Sequence, residues 1–280
     1  MYINRCFAVL LVALLALAAC ERKAEKADDN GAEPAAADQA QDEDADEEGQ
    51  PSETAEPAAE EQAADEQADG EPELVEAPPL DELHPAMLDP AKADEQAPEQ
   101  FRAKFETTEG DFIIEFNRDW APNGADRAYN LVKIGYFDGI AFFRVIDNFM
   151  AQFGIHAHPE VNKAWEEAAI EADTLEKSNI RGRVTFAQKA NPDTGQSDPA
   201  TRTTHLFINY GDNSALDDQQ FVPVGEVVEG MEVVEQLYSG YGGGPPTGPD
   251  QKDAMEKGSS YLQQDFARLD SIKKAEILDE

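Results

Sequence analysis

The sequence is poor in cysteine and in basic residues, and each shortage excludes a class of function. It contains two cysteines, Cys6 and Cys20, so the chain beyond residue 20 can form neither a disulfide nor a thiolate metal site. Asp and Glu number 59 against 22 Lys and Arg, which gives a formal net charge of −37. Because nucleic-acid binding needs a basic patch that displaces counterions from phosphates, this balance argues against a nucleic-acid partner.

Aromatic residues are missing from one long stretch. Residues 21–100 contain no Phe, Trp or Tyr and hold 28 Asp and Glu against four Lys and Arg. Such a segment cannot bury enough apolar surface to offset the entropy of ordering the chain. We therefore predict a disordered acidic tether, rich in Ala, Glu and Pro, over residues 20–98 and a folded domain over residues 99–280. A small apolar patch near the end of the tether predicts a short element that docks on the domain: Val75, Leu80, Leu83, Met87 and Leu88.

The N-terminus lacks an apolar run long enough to span a membrane. Residues 6–19 form an apolar run of about fourteen residues after Arg5, whereas a span needs roughly twenty. This pattern is typical of a signal peptide, here residues 1–19. The run ends in the sequence LAAC at Cys20, which resembles the lipobox of bacterial lipoproteins. The resemblance implies a lipidated Cys20 that anchors the mature chain to a membrane.

Glu21 bears on which membrane this would be. The lipoprotein signal for retention in the inner membrane usually has Asp after the lipidated cysteine, and Glu21 stands there instead. We therefore expect an anchor in the outer membrane that faces the periplasm of the bacterial cell envelope. The alternative is an ordinary signal peptide in which Cys20 occurs by chance.

From Phe101 onward, short apolar strands alternate with turn signals. Residues 105–116 predict a β-hairpin with its turn at residues 109–111. Apolar spacing predicts a helix over residues 122–135 that ends at Gly135. Further strands are predicted at residues 140–146, 149–153, 183–188, 205–209, 222–228 and 275–278, and one more helix at residues 231–238. Eight or so short strands with two helices predict a mainly β, antiparallel barrel.

Two stretches of the domain carry few strand signals. Residues 155–180 contain Trp165 and Ile170 at helical spacing, which predicts a packed amphipathic helix rather than a second domain. Residues 189–203 form the second stretch. Compared with the family introduced next, both are longer than its minimal domain.

Four motifs in order carry a family resemblance. Residues 142–154, FFRVIDNFMAQFG, resemble the signature of the cyclophilin-type peptidyl-prolyl isomerases. Residues 182–187 (GRVTFA), 204–209 (THLFIN) and 216–231 (LDDQQFVPVGEVVEGM) agree with the same family. The resemblance covers about residues 101–280 and implies a closed eight-stranded antiparallel cyclophilin-like barrel with two flanking helices.

The activity implied by this resemblance is peptidyl-prolyl cis-trans isomerisation. Rotating an Xaa-Pro bond breaks amide resonance, against a barrier of about 18–20 kcal/mol, without making or breaking a covalent bond. Such an enzyme needs no nucleophile, metal or cofactor; it needs an apolar pocket for the proline ring and a fixed donor for the twisted amide. Arg144 would be that catalytic donor, because its planar guanidinium can bond the prolyl carbonyl and favour a pyramidal imide nitrogen.

The resemblance assigns nine further residues to substrate binding: Phe149, Met150, Gln152, Ala187, Gln188, His205, Phe207, Leu216 and Phe221. The aromatic, Met and Leu side chains would line the proline pocket, and Gln152 would hydrogen-bond the substrate backbone. Ala187 and Gln188 would border the groove for the residue before proline. His205 stands where the family usually has Gln, which introduces a side chain that changes charge near pH 6–7.

Two patterns that suggest other chemistry are rejected. His156, His158 and Glu160 suggest zinc, but no third His and no Cys lies nearby, so we predict no metal site. The Gly- and Pro-rich residues 240–248 lack a following Lys and open no helix after a strand, so we predict a flexible loop rather than a phosphate cradle. We predict that no cofactor is bound.

Two classes of function remain. The first is an isomerase that assists the folding of envelope or periplasmic proteins and acts on proline-containing unfolded or flexible polypeptides. The second is a catalytically weak module or chaperone that binds proline segments on a lipid tether. Arg144 favours the first class, because an aromatic groove can bind proline without a cation. We expect a monomer attached to the membrane through its N-terminal lipid anchor.

Overall fold

The computed structural model describes residues 75–191 and 193–279. The predicted signal peptide, Cys20 and the tether up to residue 74 lie outside the described residues, and the predictions about them stay predictions. Within the described ranges, no helix has both the length and the apolar character needed to cross a membrane.

Eleven strands and five α-helices make up this part of the chain. The strands are β1 (Gln100–Thr107), β2 (Asp111–Asn117), β3 (Ile140–Ala141), β4 (Arg144–Ile146), β5 (Met150–Phe153), β6 (Arg183–Phe186), β7 (Lys189–Ala190), β8 (Ser197–Asp198), β9 (Leu206–Asn209), β10 (Pro223–Glu229) and β11 (Ser271–Ile277). The helices are α1 (Pro122–Lys133), α2 (Pro159–Trp165), α3 (Met231–Val234), α4 (Gln251–Lys257) and α5 (Ser259–Asp265). The predicted hairpin and the helix beginning at residue 122 are therefore present.

The main sheet is an open, strongly curled half-barrel of nine strands in the order β3-β11-β1-β2-β10-β6-β9-β5-β4. The prediction of a closed eight-stranded barrel is not confirmed. The two edge strands, β3 and β4, follow each other in the chain, separated by Phe142 and Phe143. Phe142 is buried in the main core and Phe143 in a second cluster, so the segment predicted as one strand divides into two here. The chain therefore joins the two edges of the sheet directly, but β3 and β4 are not hydrogen-bonded to each other.

The main core is rich in aromatic side chains. Phe105 stacks on Phe112 with ring centroids 5.1 Å apart and meets Phe153 edge-on at 6.0 Å. All three rings are essentially inaccessible to solvent. Burying one such side chain contributes about 1.5–3 kcal/mol, so this cluster is a main source of the domain's stability.

A second, smaller core lies under α4 and α5, and the sequence analysis did not predict these helices. It contains Ala141, Phe143, Ile155, Ala254, Leu262 and Leu269. Asp250 caps α4, since its carboxylate accepts hydrogen bonds from the backbone N–H groups of Lys252 (2.9 Å) and Asp253 (3.1 Å). The prediction of two flanking helices is therefore wrong, because five α-helices occur among the described residues.

Residues 75–97, which we call the strap, pack against the domain. They form three short 3₁₀ turns, and the side chains of Ala86 and Met87 are buried. Asn130 of α1 donates to the carbonyl of Glu95 (2.6 Å) and accepts from its N–H (3.1 Å). The packed part of the chain therefore begins before residue 99, the domain boundary predicted from the sequence. The predicted docking of the apolar patch is observed for Leu80, Leu83 and Met87, which pack in or against the main core, whereas Leu88 is exposed.

Candidate active site

One face of the curled sheet forms the floor of a groove. The alternation of side chains along the strands determines which residues lie on that face. Arg144 on β4 lies opposite Gln152 on β5, which lies opposite Phe207 on β9. Their chain neighbours Ala151 and Ile208 point to the opposite face and are buried in the main core. Because successive side chains alternate between faces, one face of these strands contributes to the main core and the other forms the groove.

The groove is a cavity of about 430 Å³. It brings together all ten residues predicted from the sequence: Arg144, Phe149, Met150, Gln152, Ala187, Gln188, His205, Phe207, Leu216 and Phe221. The sequence analysis missed ten other lining residues: Asn162, Trp165, Glu166, Lys189, Ala190, Thr201, Thr203, Thr204, Gln251 and Met255. The roles of the predicted residues stay predictions, but their placement in one groove is observed.

Two acceptors hold the guanidinium of Arg144. Its Nε donates to the carbonyl of Gly243 (3.0 Å), and its Nη1 donates to Oε1 of Gln152 (3.3 Å). Burial lowers the pKa of Arg144 below its ordinary value, yet the group keeps its charge because arginine is not deprotonated in proteins. Its Nη2 makes no hydrogen bond to any described residue, so a fixed cationic donor is available to a ligand. The Gly-rich loop predicted to be only a flexible connection thus supplies a contact of the site.

Two glutamines line the groove, and one of them presents a free hydrogen-bonding group to it. Gln152 uses Oε1 to accept from Arg144, and its Nε2 has no partner among the described residues. Gln188 donates through Nε2 to the carbonyl of Gln219 (2.7 Å), and its Oε1 is buried without a partner in the described part of the chain. Gln152 can therefore donate to a peptide carbonyl through Nε2.

The apolar part of the groove is formed by side chains from both the floor and its rim. Met150 and Phe207 are buried on the floor, and Phe207 meets Phe221 edge-on with centroids 5.9 Å apart. Leu216, on the 3₁₀ segment Ser214–Gln219, lines the same cavity. A cyclic apolar group such as a proline ring is the kind of ligand that this pocket suits.

The rim that carries Leu216 and Phe221 is held by the fully buried side chain of Asn179. Its Nδ2 donates to the carbonyl of Phe221 (2.7 Å) and to Oδ1 of Asp217 (2.8 Å). Its Oδ1 accepts from Oγ1 of Thr185 on β6 (2.8 Å). The amide therefore links the rim to the sheet, a role that the sequence analysis did not find.

The surroundings of His205 favour its neutral form. Burial, with a smaller contribution from the charge of Lys189, lowers its pKa to about 4, so it does not change charge near pH 6–7. Phe143 packs edge-on against its ring at a centroid distance of 5.8 Å. Its Nδ1 lies 3.3 Å from Nε2 of Gln251, which makes Nδ1 the acceptor and places the proton on Nε2. A neutral imidazole N–H therefore occupies this position near neutral pH.

Helices α2 and α4 form the wall of the groove, which we call the helical wall: Asn162, Trp165, Glu166, Gln251 and Met255. The prediction of one helix containing Trp165 and Ile170 is only partly right, because α2 ends at Trp165 and the Ile170 N–H bonds the carbonyl of Arg202 (3.0 Å). A signal for α4 was available in Asp250, a good N-cap residue before a polar run. No local signal indicated that either helix would line the groove.

The two histidines considered for zinc serve as structural groups. His156 is buried, and burial lowers its pKa to about 3. Its Nδ1 accepts from the N–H of His158 (3.0 Å), and His158 Nε2 donates to the carbonyl of Pro78 in the strap (2.8 Å). Among residues 75–191 and 193–279, no group of three or more His, Cys, Asp or Glu is arranged to hold a metal ion.

Known proteins are similar to this chain in sequence. Residues 102–257 match the family model described as cyclophilin type peptidyl-prolyl cis-trans isomerase/CLD. A probable peptidyl-prolyl cis-trans isomerase of Brucella abortus is 31% identical over 142 residues, which cover 47% of this chain and 68% of that protein. Peptidyl-prolyl cis-trans isomerase B of Escherichia coli is 28% identical over 140 residues, which cover 48% of this chain and 81% of that protein.

A solved structure is also similar. The cyclophilin type peptidyl-prolyl cis-trans isomerase of Cryptosporidium parvum aligns with a TM-score of 0.46 and 18% identity, covering 65% of this chain and 99% of that chain. A second structure of that protein was determined in the presence of the dipeptide Ala-Pro. The family match spans more than half of this chain and confirms the family and activity predicted from its motifs. The chain belongs to the cyclophilin-type peptidyl-prolyl cis-trans isomerases.

Proposed function

We propose that the groove isomerises Xaa-Pro bonds of flexible polypeptides without a covalent step, with Arg144 as the electrostatic stabiliser of the twisted amide. The proline ring would enter the apolar pocket beside Phe207, and the guanidinium would bond the prolyl carbonyl. Gln152 Nε2 would donate to the substrate backbone, and Ala187 and Gln188 would border the groove for the residue before proline. The observation that carries this proposal is a cation fixed by two acceptors at the edge of an apolar pocket.

The free energy needed for the rate acceleration can be compared with what Arg144 could contribute. Going from tens of seconds to milliseconds requires about 10⁴-fold acceleration, which is roughly 5.5 kcal/mol. One charged hydrogen bond contributes about 1.5–3 kcal/mol, so Arg144 cannot supply the whole effect. Transfer of the amide from water to the apolar pocket would supply part of the remainder, since the planar amide loses more solvation than the twisted one.

The geometry favours the enzyme over a module that only binds proline segments. Proline binding requires an apolar surface, which Met150, Phe207 and Phe221 provide. It does not require a cation whose orientation is fixed by both Gly243 and Gln152. A preorganised donor is most useful where charge develops during the reaction, as on the twisting imide.

We further propose that this isomerase works as a monomer in the bacterial cell envelope, on envelope or periplasmic proteins. The support is the lipobox-like sequence ending at Cys20 and the acidic residues that follow it. An acylated Cys20 would attach the chain to the periplasmic face of the outer membrane. Labelling cells with a radioactive fatty acid tests this step: wild-type protein should incorporate label and a Cys20→Ala variant should not. Equal label in both contradicts the anchor.

Exchange spectroscopy tests the catalytic proposal. The full chain should accelerate cis-trans exchange of a capped Xaa-Pro peptide, as measured by NMR. The Arg144→Ala variant should be slower by at least tenfold, which is about 1.4 kcal/mol of transition-state stabilisation. If this variant exchanges the peptide as fast as the wild type, Arg144 is not the stabiliser. If the wild type binds the peptide without accelerating exchange, the binding module is the better description.

A further inference from the structure

The strap is attached to the domain largely through its own backbone carbonyls. The carbonyl of Met87 accepts from Nε1 of Trp165 (3.0 Å), and that of Pro78 accepts from Nε2 of His158 (2.8 Å). The Met87 side chain is 1% exposed and belongs to the main core. Leu88, the next residue, is 53% exposed. The strap is therefore fixed at Met87 by both a hydrogen bond and buried apolar contact.

Trp165 connects the strap to the groove. Its indole lines the groove although it is only 1% exposed, so it forms the buried base of the helical wall. The guanidinium of Arg127 lies 5.0 Å above the ring, and Tyr136 meets it edge-on at 5.5 Å. Its one polar atom, Nε1, is bonded by the strap. Because a buried N–H without a partner costs about 1–3 kcal/mol, the orientation of the ring depends on the Met87 carbonyl.

Asn162 extends this connection to the other helix of the wall. It lies one turn before Trp165 on α2, accepts from the N–H of His156 (2.8 Å) and donates to the carbonyl of Met255 on α4 (3.2 Å). Helix α2 therefore contacts the strap on one side and α4 on another. A displacement of α2 would move the Trp165 ring and Met255 together.

The helical wall lies at the end of the groove assigned to residues before the proline. Lys189 follows Gln188 along the chain, and its ammonium lies 3.5 Å from the carboxylate of Glu166 at the end of α2. Arg127 bonds the carbonyl of Thr203 (3.0 Å) while it covers Trp165. The segments after β6 and before β9 therefore meet α2 at this end of the groove.

We propose that the strap is a positioning element for substrate binding, in which the Met87 carbonyl orients Trp165 and so sets the wall that contacts substrate residues preceding the proline. The matched family domain begins at residue 102, so the strap lies outside it. The proposal rests on the proposed function only in taking the groove as the peptide site. It predicts a change in KM for extended substrates and no change in the rate at which the Xaa-Pro bond rotates beside Arg144.

Steady-state kinetics of the full chain test this proposal with two peptides. One is a capped Xaa-Pro dipeptide, and the other carries three additional residues before Xaa. Met87→Ala removes the buried side chain that holds the Met87 carbonyl against Trp165. It should raise KM for the longer peptide three- to tenfold, with kcat and both constants for the dipeptide within twofold of wild type. Leu88→Ala, the matched control from the exposed neighbour, should change neither peptide by more than twofold.

A spectroscopic readout keeps the test independent of folding yield. The chain has two tryptophans, so Trp120→Phe leaves Trp165 as the only indole reporter. In that background, Met87→Ala should shift Trp165 emission to the red and Leu88→Ala should not. If Met87→Ala does not fold, His158→Ala provides the test, since it releases the Pro78 carbonyl while the backbone carbonyl at position 158 still accepts from the N–H of Asn162 (3.3 Å). It should raise KM for the longer peptide by a smaller factor.

Two results would overturn the proposal. The first is an equal KM for the longer peptide in Met87→Ala and Leu88→Ala. The second is an equal loss of activity on both peptides in proportion to loss of folded protein, which would show that the strap acts through stability alone. Failure of the catalytic proposal would give a different result. The Arg144→Ala variant would then exchange the peptide as fast as the wild type, independently of the results for the strap variants.

Discussion

The floor of the groove and its helical wall have different origins in the sequence. The floor comes from strands β4, β5 and β9, whose alternation places Arg144, Gln152 and Phe207 on one face and core residues on the other. The wall comes from α2 and α4, which are positioned by contacts with distant segments. A local pattern therefore encodes the surface that would hold the proline and carry catalysis, whereas tertiary contacts create the surface that would contact the substrate residues before the proline.

The largest expected effect comes from breaking a buried ion pair beside the segment that follows α2. Arg202 and Asp173 form a fully buried ion pair at 3.1 Å, and Arg202 also bonds the carbonyls of Pro199 (3.0 Å) and Glu171. Arg202→Met leaves the carboxylate of Asp173 buried without its cation, with only the N–H groups of Asn123 and Gly124 (both 2.9 Å) as donors. We expect urea denaturation to show a loss of about 3–5 kcal/mol in the free energy of unfolding.

The matched control for this prediction is an exposed arginine. Arg181 makes two hydrogen bonds to Glu235, at 2.7 and 2.8 Å, but its side chain is 55% exposed. Arg181→Met should cost less than about 1 kcal/mol because solvent screens exposed pairs. Equal losses in the two variants would show that burial of the Arg202 pair does not matter for stability.

The next prediction tests whether the rim of the groove depends on the buried side chain of Asn179. Asn179→Leu removes the amide that links the rim at Phe221 to Thr185 of the sheet. We expect a loss of about 1–3 kcal/mol in stability, because buried partners of the amide lose their hydrogen bonds. The KM for a Xaa-Pro peptide should rise with little change in kcat, and a kcat effect with unchanged KM would contradict this role.

A smaller effect separates the two glutamines of the groove. Gln152→Leu removes the acceptor of Arg144 Nη1 and should lower kcat about tenfold, the size expected from one charged hydrogen bond of about 1.5 kcal/mol. Gln188→Leu is the control, because Gln188 lines the same groove and does not bond Arg144. It should act mainly on KM. If both variants lower kcat equally, the bond to Arg144 is not the reason.

Near neutral pH, the smallest effect is the dependence on pH. The folded-state pKa values of His205, about 4, and His156, about 3, lie below the ordinary value of 6.5. The unfolded chain therefore takes up these protons first, so their contribution to stability is complete above about pH 6.5 and declines as the pH falls toward 4. Unfolding free energies measured from pH 4 to 8 should fall less steeply below pH 6.5 in His205→Gln. Activity of the wild type should be flat from pH 6 to 8, and a titration of activity near pH 6.5 would contradict the neutral His205.

Features set by local patterns could be predicted from the sequence, whereas features set by contacts between distant residues could not. Helix α1, the β1–β2 hairpin and the floor of the groove follow from local periods and short motifs, and all ten predicted site residues lie in the groove. The division of residues 140–146 into β3 and β4 could not be predicted, because it depends on Phe142 and Phe143 entering separate cores. The bond from Trp165 to Met87 joins residues 78 positions apart, and no local pattern indicates such a pairing.

The most direct test of the division between floor and wall is NMR on one extended Xaa-Pro peptide, recording its dissociation constant and its exchange rate at saturation. Arg144→Ala should lower the exchange rate at least tenfold and change the dissociation constant by less than threefold. Met255→Ala, a wall variant, should weaken binding three- to tenfold and leave exchange at saturation within twofold of wild type. The account would be contradicted if both variants changed the same quantity by similar factors.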